Sequence, residues 1–314
     1  MPFVSMADKI IFKNIIGTFV FDNQFHVIES HKGDFENEYF DKYRNADWPN
    51  DKQIQKILDF FRDKEFFEIF YQGNLKLTKK AVKESVTSFV LICQAVNSII
   101  DTDKSINVLS KRLRDWYAWT APEAARSIPN NEQFAAQILK KGPDILLKEI
   151  GLSYDQSMGK KIGDDDLAPL QGIAWQICQL YLLRLKEEKY LEFLMNKEYP
   201  NLSEVAGFLI GARLLSYAGS ADRLIKMPAS TIQILGAEKA LFRHMRDKKK
   251  SSSPKHGVLY QHLILQSAKP SQRGKIARLL ADKIVIAIRV DHFKGEFVGS
   301  RLKDEIIAKV RSLK

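Results

Sequence analysis

Residues 239 to 289 hold thirteen Lys/Arg and only two acids, Asp247 and Asp282. Cationic side chains clustered in this way suit one task above others, which is displacing counterions from a phosphate backbone. Lys239, Arg243 and Arg246 recur at spacings of four and three, which places them on one side of a helix. Arg273, Lys275 and Arg278 gather where a second helix should begin, and there they would join free backbone N–H groups around a phosphate. The connecting segment reads Lys248-Lys249-Lys250-Ser251-Ser252-Ser253-Pro254-Lys255-His256-Gly257. Its KKKSSS part suits a solvated connector. Lys255-His256-Gly257 reads as part of the recognition surface, with His256 and Tyr260 placed to stack on an unpaired base or touch a ribose.

Other chemistries find less support. Gly274-Lys275 lacks the earlier glycine and the strand of a nucleotide-binding loop. His244, His256 and His262 are near neighbours without cysteines or closely spaced carboxylates, which is not a metal-ligand pattern. Glu187 and Glu188 fall on the polar face of a long helix, where solvation or salt bridging is the expectation. No glycine loop of the S-adenosylmethionine type follows a strand. The expectation is a non-catalytic chain with no metal and no cofactor of its own.

The chain has 314 residues and a formal net charge of +11, and the excess is unevenly spread. Residues 199 to 314 carry 22 Lys/Arg against 9 Asp/Glu, whereas the first 198 carry 27 against 29. The basic third is therefore a patch, not a background. Cys93 and Cys178 lie far apart inside apolar helical patterns and are expected as buried thiols in a reducing compartment. The first residues lack the basic-then-apolar pattern of a signal peptide, and the longest uncharged run, 85 to 100, is too short and polar to span a membrane. A cytoplasmic location is expected.

The elements that must position the patch read as mostly α, α+β overall. Residues 10 to 30 suggest two strands with a turn at Asp22-Asn23-Gln24. A helix follows with Ile54, Ile57, Leu58, Phe61 and Phe66 on one face, and YQGNLKLT is the exit from a small α/β domain, 1–80. The next domain, 81–198, reads as two long helices in an antiparallel coiled-coil hairpin. The first carries Val82, Val86, Phe89, Cys93, Val96, Ile100, Ile106, Leu109 and Leu113. The second, capped by Asp164 to Asp166, carries Leu170, Ile173, Ile177, Leu180, Leu183, Leu191 and Leu194. Two core helices of one larger helical domain would give the same periodicity. Shorter helices fill 199–314. One begins at Ser230 in a capping box with Gln233 and turns Ile234, Ala237, Leu241 and Met245 inward. Another begins at Pro270-Ser271 and turns Ile276, Leu280, Ile284 and Ala287 inward.

The segments KMPASTIQILGAEKALFRHMR, PKHGVLYQH and QRGKIARLLADKIVIAIRVDHF, in that order, closely resemble the NOP domain of the box C/D ribonucleoprotein core proteins. The resemblance runs upstream through PNLSEVAGFLIGARLLSYAG, QSMG and SINVLSKRLRDWYAW, and FKNIIGTFVFD resembles the start of the family's N-terminal domain. Trp119-Thr120-Ala121-Pro122-Glu123-Ala124 departs from the family's His-Phe-Pro-Glu-Leu after Trp-Tyr. There is no long lysine/acid-rich tail of the eukaryotic kind, which favours an archaeal-type member.

The resemblance implies a scaffold. The N-terminal α/β domain would bind fibrillarin, the methyltransferase that holds S-adenosylmethionine. The coiled coil would join two copies in a homodimer. The NOP domain, 199–314, would grip a kink-turn guide RNA together with a small ribosomal-protein-type kink-turn binder, for guided ribose 2′-O-methylation. Carried over by motif, the RNA contacts are Lys239, Arg243, His244, Lys255, His256, Arg273, Lys275 and Arg278. The competing readings are a splicing-type NOP protein that joins a small nuclear ribonucleoprotein without fibrillarin, and a nonspecific nucleic-acid binder.

Overall fold

The computed structural model describes residues 9–33, 36–43, 46–248 and 252–312. Contacts divide the chain into two units, 1–86 and 87–314.

In the first unit a four-stranded sheet has the order β3-β2-β1-β4. Its strands are β1 Lys9–Lys13, β2 Thr18–Phe21, β3 Val27–His31 and β4 Ala46–Asp47. β1, β2 and β3 pair antiparallel, and β4 adds to β1 in parallel. The expected turn is present, with Asp22 Oδ1 accepting from the N–H groups of Gln24 at 2.9 Å and His26 at 2.8 Å. The expectation of two strands is corrected to three in this run. Asn14 Oδ1 accepts from the N–H groups of Ile16 at 2.9 Å and Gly17 at 3.2 Å, closing a second hairpin inside what reads as one apolar run. A side chain at Gly17 would place Cβ 2.1 Å from the His31 carbonyl oxygen, so the tight turn requires glycine.

Three helices complete this unit: α1 Glu36–Lys42, α2 Asp51–Phe60 and α3 Lys64–Ser85. Asn50 and Gln53 form a capping box at the start of α2. The single expected helix is broken at 61–63, and Phe61 at the break lies at the centre of the aromatic core. Its ring sits 4.9 Å from Phe19, 5.2 Å from Phe60 and 5.2 Å from Phe66. Ile57 and Phe61 are buried as expected, whereas Leu58 is exposed. YQGNLKLT, expected as the exit from this domain, is helical. It lies within α3, none of whose residues is buried.

The second unit opens with α4 Ser88–Tyr117, and α8 Asp164–Glu198 packs along it. The apolar stripe of the first long helix does not run unbroken from Val82. Extended backbone at Thr87 ends α3 and starts α4, leaving Val82 and Val86 exposed. Asp164 to Asp166 form the first turn of α8 and are not its cap, which is Gly163; there they oppose the positive end of the helix dipole. The seam is apolar at both ends and polar in the middle. Arg184 donates to Asp103 at 2.5 Å and pairs with Glu188 at 3.0 Å, while Ser98 donates to Glu187 at 2.5 Å. Glu187 and Glu188 are both half-buried, Glu187 bonded across the hairpin and Glu188 paired with Arg184 on its own helix, and Leu183, expected in the stripe, is exposed. Cys93 and Cys178 are half-buried free thiols, pushed up in pKa by desolvation.

Between the long helices lie α5 Pro122–Ser127, α6 Asn131–Lys140 and α7 Pro143–Glu149. Tyr117, Phe134, Leu147, Leu170 and Ile177 form their core. Glu123, in the departing segment, accepts from Ser157 Oγ at 2.7 Å and the Met158 N–H at 3.0 Å, so this helix end is tied down by other means.

The remaining helices are α9 Pro200–Ala206, α10 Phe208–Ala218, α11 Ala221–Lys226, α12 Ala229–Ile234, α13 Glu238–Arg246, α14 Leu263–Gln266, α15 Arg273–His292 and α16 Gly299–Ser312. Ile276, Leu280, Ile284 and Ala287 face inward on α15 as expected. They share one core with Ile92, Val96 and Ile99 of α4 and Leu191 and Met195 of α8, so the base of the hairpin and the C-terminal helices are a continuous body. Asp291 fixes that junction by accepting from Asn201 N, Asn201 Nδ2 and Leu202 N at 3.0, 2.7 and 2.8 Å. Among the described residues no single helix is long and apolar enough to cross a membrane.

Candidate nucleic-acid interface

The expected helix from Ser230 through Arg246 is two helices. Gly236 adopts φ 85°, a left-handed conformation that side chains disfavour, and ends α12 two residues before α13 begins. A Cβ there would also lie 2.5 Å from Val258 Cγ2. The Ser230–Gln233 capping box does not form, because Pro228 is the cap of α12. Gln233 instead donates through Nε2 to the Lys255 carbonyl at 2.7 Å. Two backbone bonds continue that link, from Gly257 N to Gln233 O and from Val258 N to Leu235 O, each 2.9 Å. Segment 255–258 is therefore zipped onto the end of α12. Only glycine fits at 257, where a Cβ would lie 2.0 Å from the Leu235 carbonyl oxygen.

This zipper gathers three of the expected site residues. His256 stacks on Tyr260, ring centroids 4.7 Å apart and planes at 15°. Arg273, at the start of α15, lies over the same Tyr260 ring with Cζ 5.3 Å from its centroid. Arg273 is held by donation from Nε to the Ala268 carbonyl at 3.1 Å. A Cβ at Gly274 would lie 3.7 Å from Lys255 Cδ, so the aliphatic stem of Lys255 passes beside the first turn of α15. Desolvation, and then the charges of Arg273 and Lys255, hold the His256 pKa below the ordinary imidazole value. Neutral His256 presents a flat ring and no added charge.

Lys239, Arg243 and His244 belong to α13. Lys239 and Arg243 are exposed, and His244 is half-buried. Glu238 Oε1 accepts from the Gly236 N–H at 2.6 Å, turning the acid of this motif away from the lysine side and into the turn. Lys275 and Arg278 are exposed on α15. Among the described residues, Lys239, Arg243, Lys275 and Arg278 have no carboxylate within salt-bridge distance. Met245 was expected inward but is exposed, as is Phe242, because α13 has no buried residue. The face thus mixes cations with large apolar side chains. Lys249, Lys250 and Ser251 lie outside the described residues; Lys248, Ser252 and Ser253 are exposed.

Gln233, expected only as a capping residue, is the side chain that holds segment 255–258, a role its sequence position did not show. His262 is not a ligand candidate. Its Nδ1 accepts from Ile264 N at 3.3 Å as the cap of α14, and desolvation lowers its pKa. Among the described residues no three His, Cys, Asp or Glu side chains cluster as metal ligands.

A helical hairpin set into an all-α body carries a zipped basic face with a cation–ring–ring column. The chain belongs to the Nop family, whose model, described as a snoRNA-binding domain with fibrillarin, matches residues 98–312. An uncharacterised NOP5 family protein of Methanocaldococcus jannaschii is 39% identical over 274 residues, covering 82% of this chain and 64% of the relative. Nucleolar protein 58 of Aspergillus clavatus is 40% identical over 215 residues, covering 64% of this chain and 36% of the relative. The chain therefore spans less than two thirds of the length of either relative. A crystal structure of a fibrillarin/Nop5p complex aligns over 97% of this chain and 100% of its own at 23% identity and TM-score 0.47.

Proposed function

We propose that this chain is the non-catalytic scaffold of a box C/D-type ribonucleoprotein. The observation that carries this reading is the column of Arg273, Tyr260 and His256, zipped to α12 inside the family-matched segment, which also holds the exposed cations of α13 and α15. Flat rings capture unstacked bases, and fixed cations position the backbone around them; RNA loops and bulges are read in this way. A kink-turn offers both features, and a small ribosomal-protein-type binder would share it.

The sheet unit would dock fibrillarin, which brings S-adenosylmethionine and the methyl-transfer chemistry. The outer faces of α4 and α8 would pair two copies. Guide RNA would then select the ribose 2′-hydroxyl. Such a particle works in the cytoplasm of an archaeon, or in the nucleolus of a eukaryote. The test is reconstitution with fibrillarin, the kink-turn binder, guide RNA and a substrate strand. Leaving out this chain should stop site-directed methyl transfer; transfer that continues without it would refute the scaffold role.

A further inference from the structure

The N-terminal unit holds a second cationic surface, outside the family-matched segment. Residues 76 to 83 contain Lys76, Lys79, Lys80 and Lys83 and no acid, in a part of the chain that is otherwise slightly acidic. Their spacings of three and four place all four lysines on one side of α3, rising about 10.5 Å along the axis from Lys76 to Lys83, with Lys79 and Lys80 side by side between them. Together with Gln72 and Leu75 they line an open groove. All four are exposed, and only Lys80 has an acidic neighbour among the described residues, Glu84 at 3.8 Å.

Helix stability does not account for this ladder. Cations favour a helix C-terminus, but the effect fades beyond the last turn, which explains Lys83 and not Lys76 or Lys79. Packing does not account for it either, since no residue of α3 is buried. The acids near the start of α3, Glu65 and Glu68, are segregated from the lysines.

We infer that the α3 lysine ladder is a second RNA-binding surface, one that tracks the phosphate backbone of a paired RNA segment without reading its sequence. Lysines on a helical pitch, with no arginine fork and no aromatic ring among them, suit repeated phosphates better than a shaped protein surface. This inference does not depend on the kink-turn reading, because the residues and the RNA form differ.

The test measures binding of the full-length chain to a straight RNA duplex across a salt series, for wild type, for Lys76→Gln/Lys79→Gln/Lys80→Gln/Lys83→Gln, and for Arg243→Glu/Arg278→Glu. Glutamine keeps helix propensity close to that of lysine, and circular dichroism checks the fold. The ladder variant should flatten the slope of log affinity against log salt by about 3 and keep any preference for kink-turn over straight RNA. The Arg243/Arg278 variant should lose that preference and keep the ladder's share of the slope. Ultraviolet crosslinks from the duplex should map to the peptide around 76–83. An unchanged slope in the ladder variant would overturn the inference. So would a ladder variant that binds RNA like wild type but no longer binds fibrillarin, which would make the surface a protein dock.

Discussion

The imidazole of His256 lies flat against the phenol ring of Tyr260, 4.7 Å between centroids, with the Arg273 guanidinium on the same phenol ring. Such a column leaves little rotamer freedom to lose when a base joins it, so binding energy is not spent on ordering the receptor. The ordering is done by backbone bonds from Gly257 and Val258 to the end of α12.

Tyr260→Ala should therefore weaken binding to kink-turn RNA by about tenfold, as expected for loss of one stacking platform. Tyr260→Phe should leave affinity nearly unchanged. Fluorescence anisotropy at fixed salt measures both.

The column also makes a pH prediction. Burial, then Arg273 and Lys255, lower the folded-state pKa of His256 below its ordinary 6.5. The unfolded chain then takes up its proton first, so the contribution to stability is intact above pH 6.5 and is lost as pH falls toward the depressed folded value. His262, lowered by desolvation, acts in the same direction. An NMR titration should give His256 a midpoint below 6.5, moving part of the way back in Arg273→Gln.

Two glycines should respond oppositely to alanine. Gly257→Ala forces a Cβ to within 2.0 Å of the Leu235 carbonyl oxygen and should cost about 2–3 kcal/mol while also loosening the RNA face. Gly172→Ala lies on an exposed turn of α8 with nothing within 4 Å, and should add about 0.5–1 kcal/mol. Chemical denaturation of the two variants provides the comparison.

Self-association should depend on the outer face of α8. Trp175, Leu182 and Phe193 are 55, 55 and 64% exposed, and their spacings of seven and eleven put them in one line. An apolar line of this kind marks a partner surface. If two copies pair as proposed, Leu182→Glu with Phe193→Glu should leave only monomer in light scattering, with the helix content unchanged.

The helices and the inward face of α15 were legible because their apolar residues recur at helical spacing over several turns. Ile276, Leu280, Ile284 and Ala287 are all buried as that spacing requires. Breaks were less legible. The interruption at Thr87 contains neither proline nor glycine, and the one at Phe61 coincides with the most contacted aromatic ring of its unit. Periodicity continues across both, while the backbone does not. At the basic face, the cations were readable from composition and motif. The zipper between 233–235 and 255–258 was not, because it is built from long-range backbone bonds that leave no periodic trace. Gly236 and Gly257 were its visible signs: one interrupts a helical pattern, and the other follows a histidine at the end of a polar run.

On the proposed reading, α13, segment 255–258 and the start of α15 together recognise kinked RNA. The most direct measurement compares the affinity of the full-length chain, together with the small kink-turn binder, for kink-turn RNA and for a straight duplex of equal length, in wild type and in Arg243→Glu/Arg278→Glu. The expected result is a clear preference for the kink-turn in wild type that disappears in the variant, with thermal stability unchanged. Equal affinity for the two RNAs in wild type, or a preference that survives both charge reversals, would contradict it.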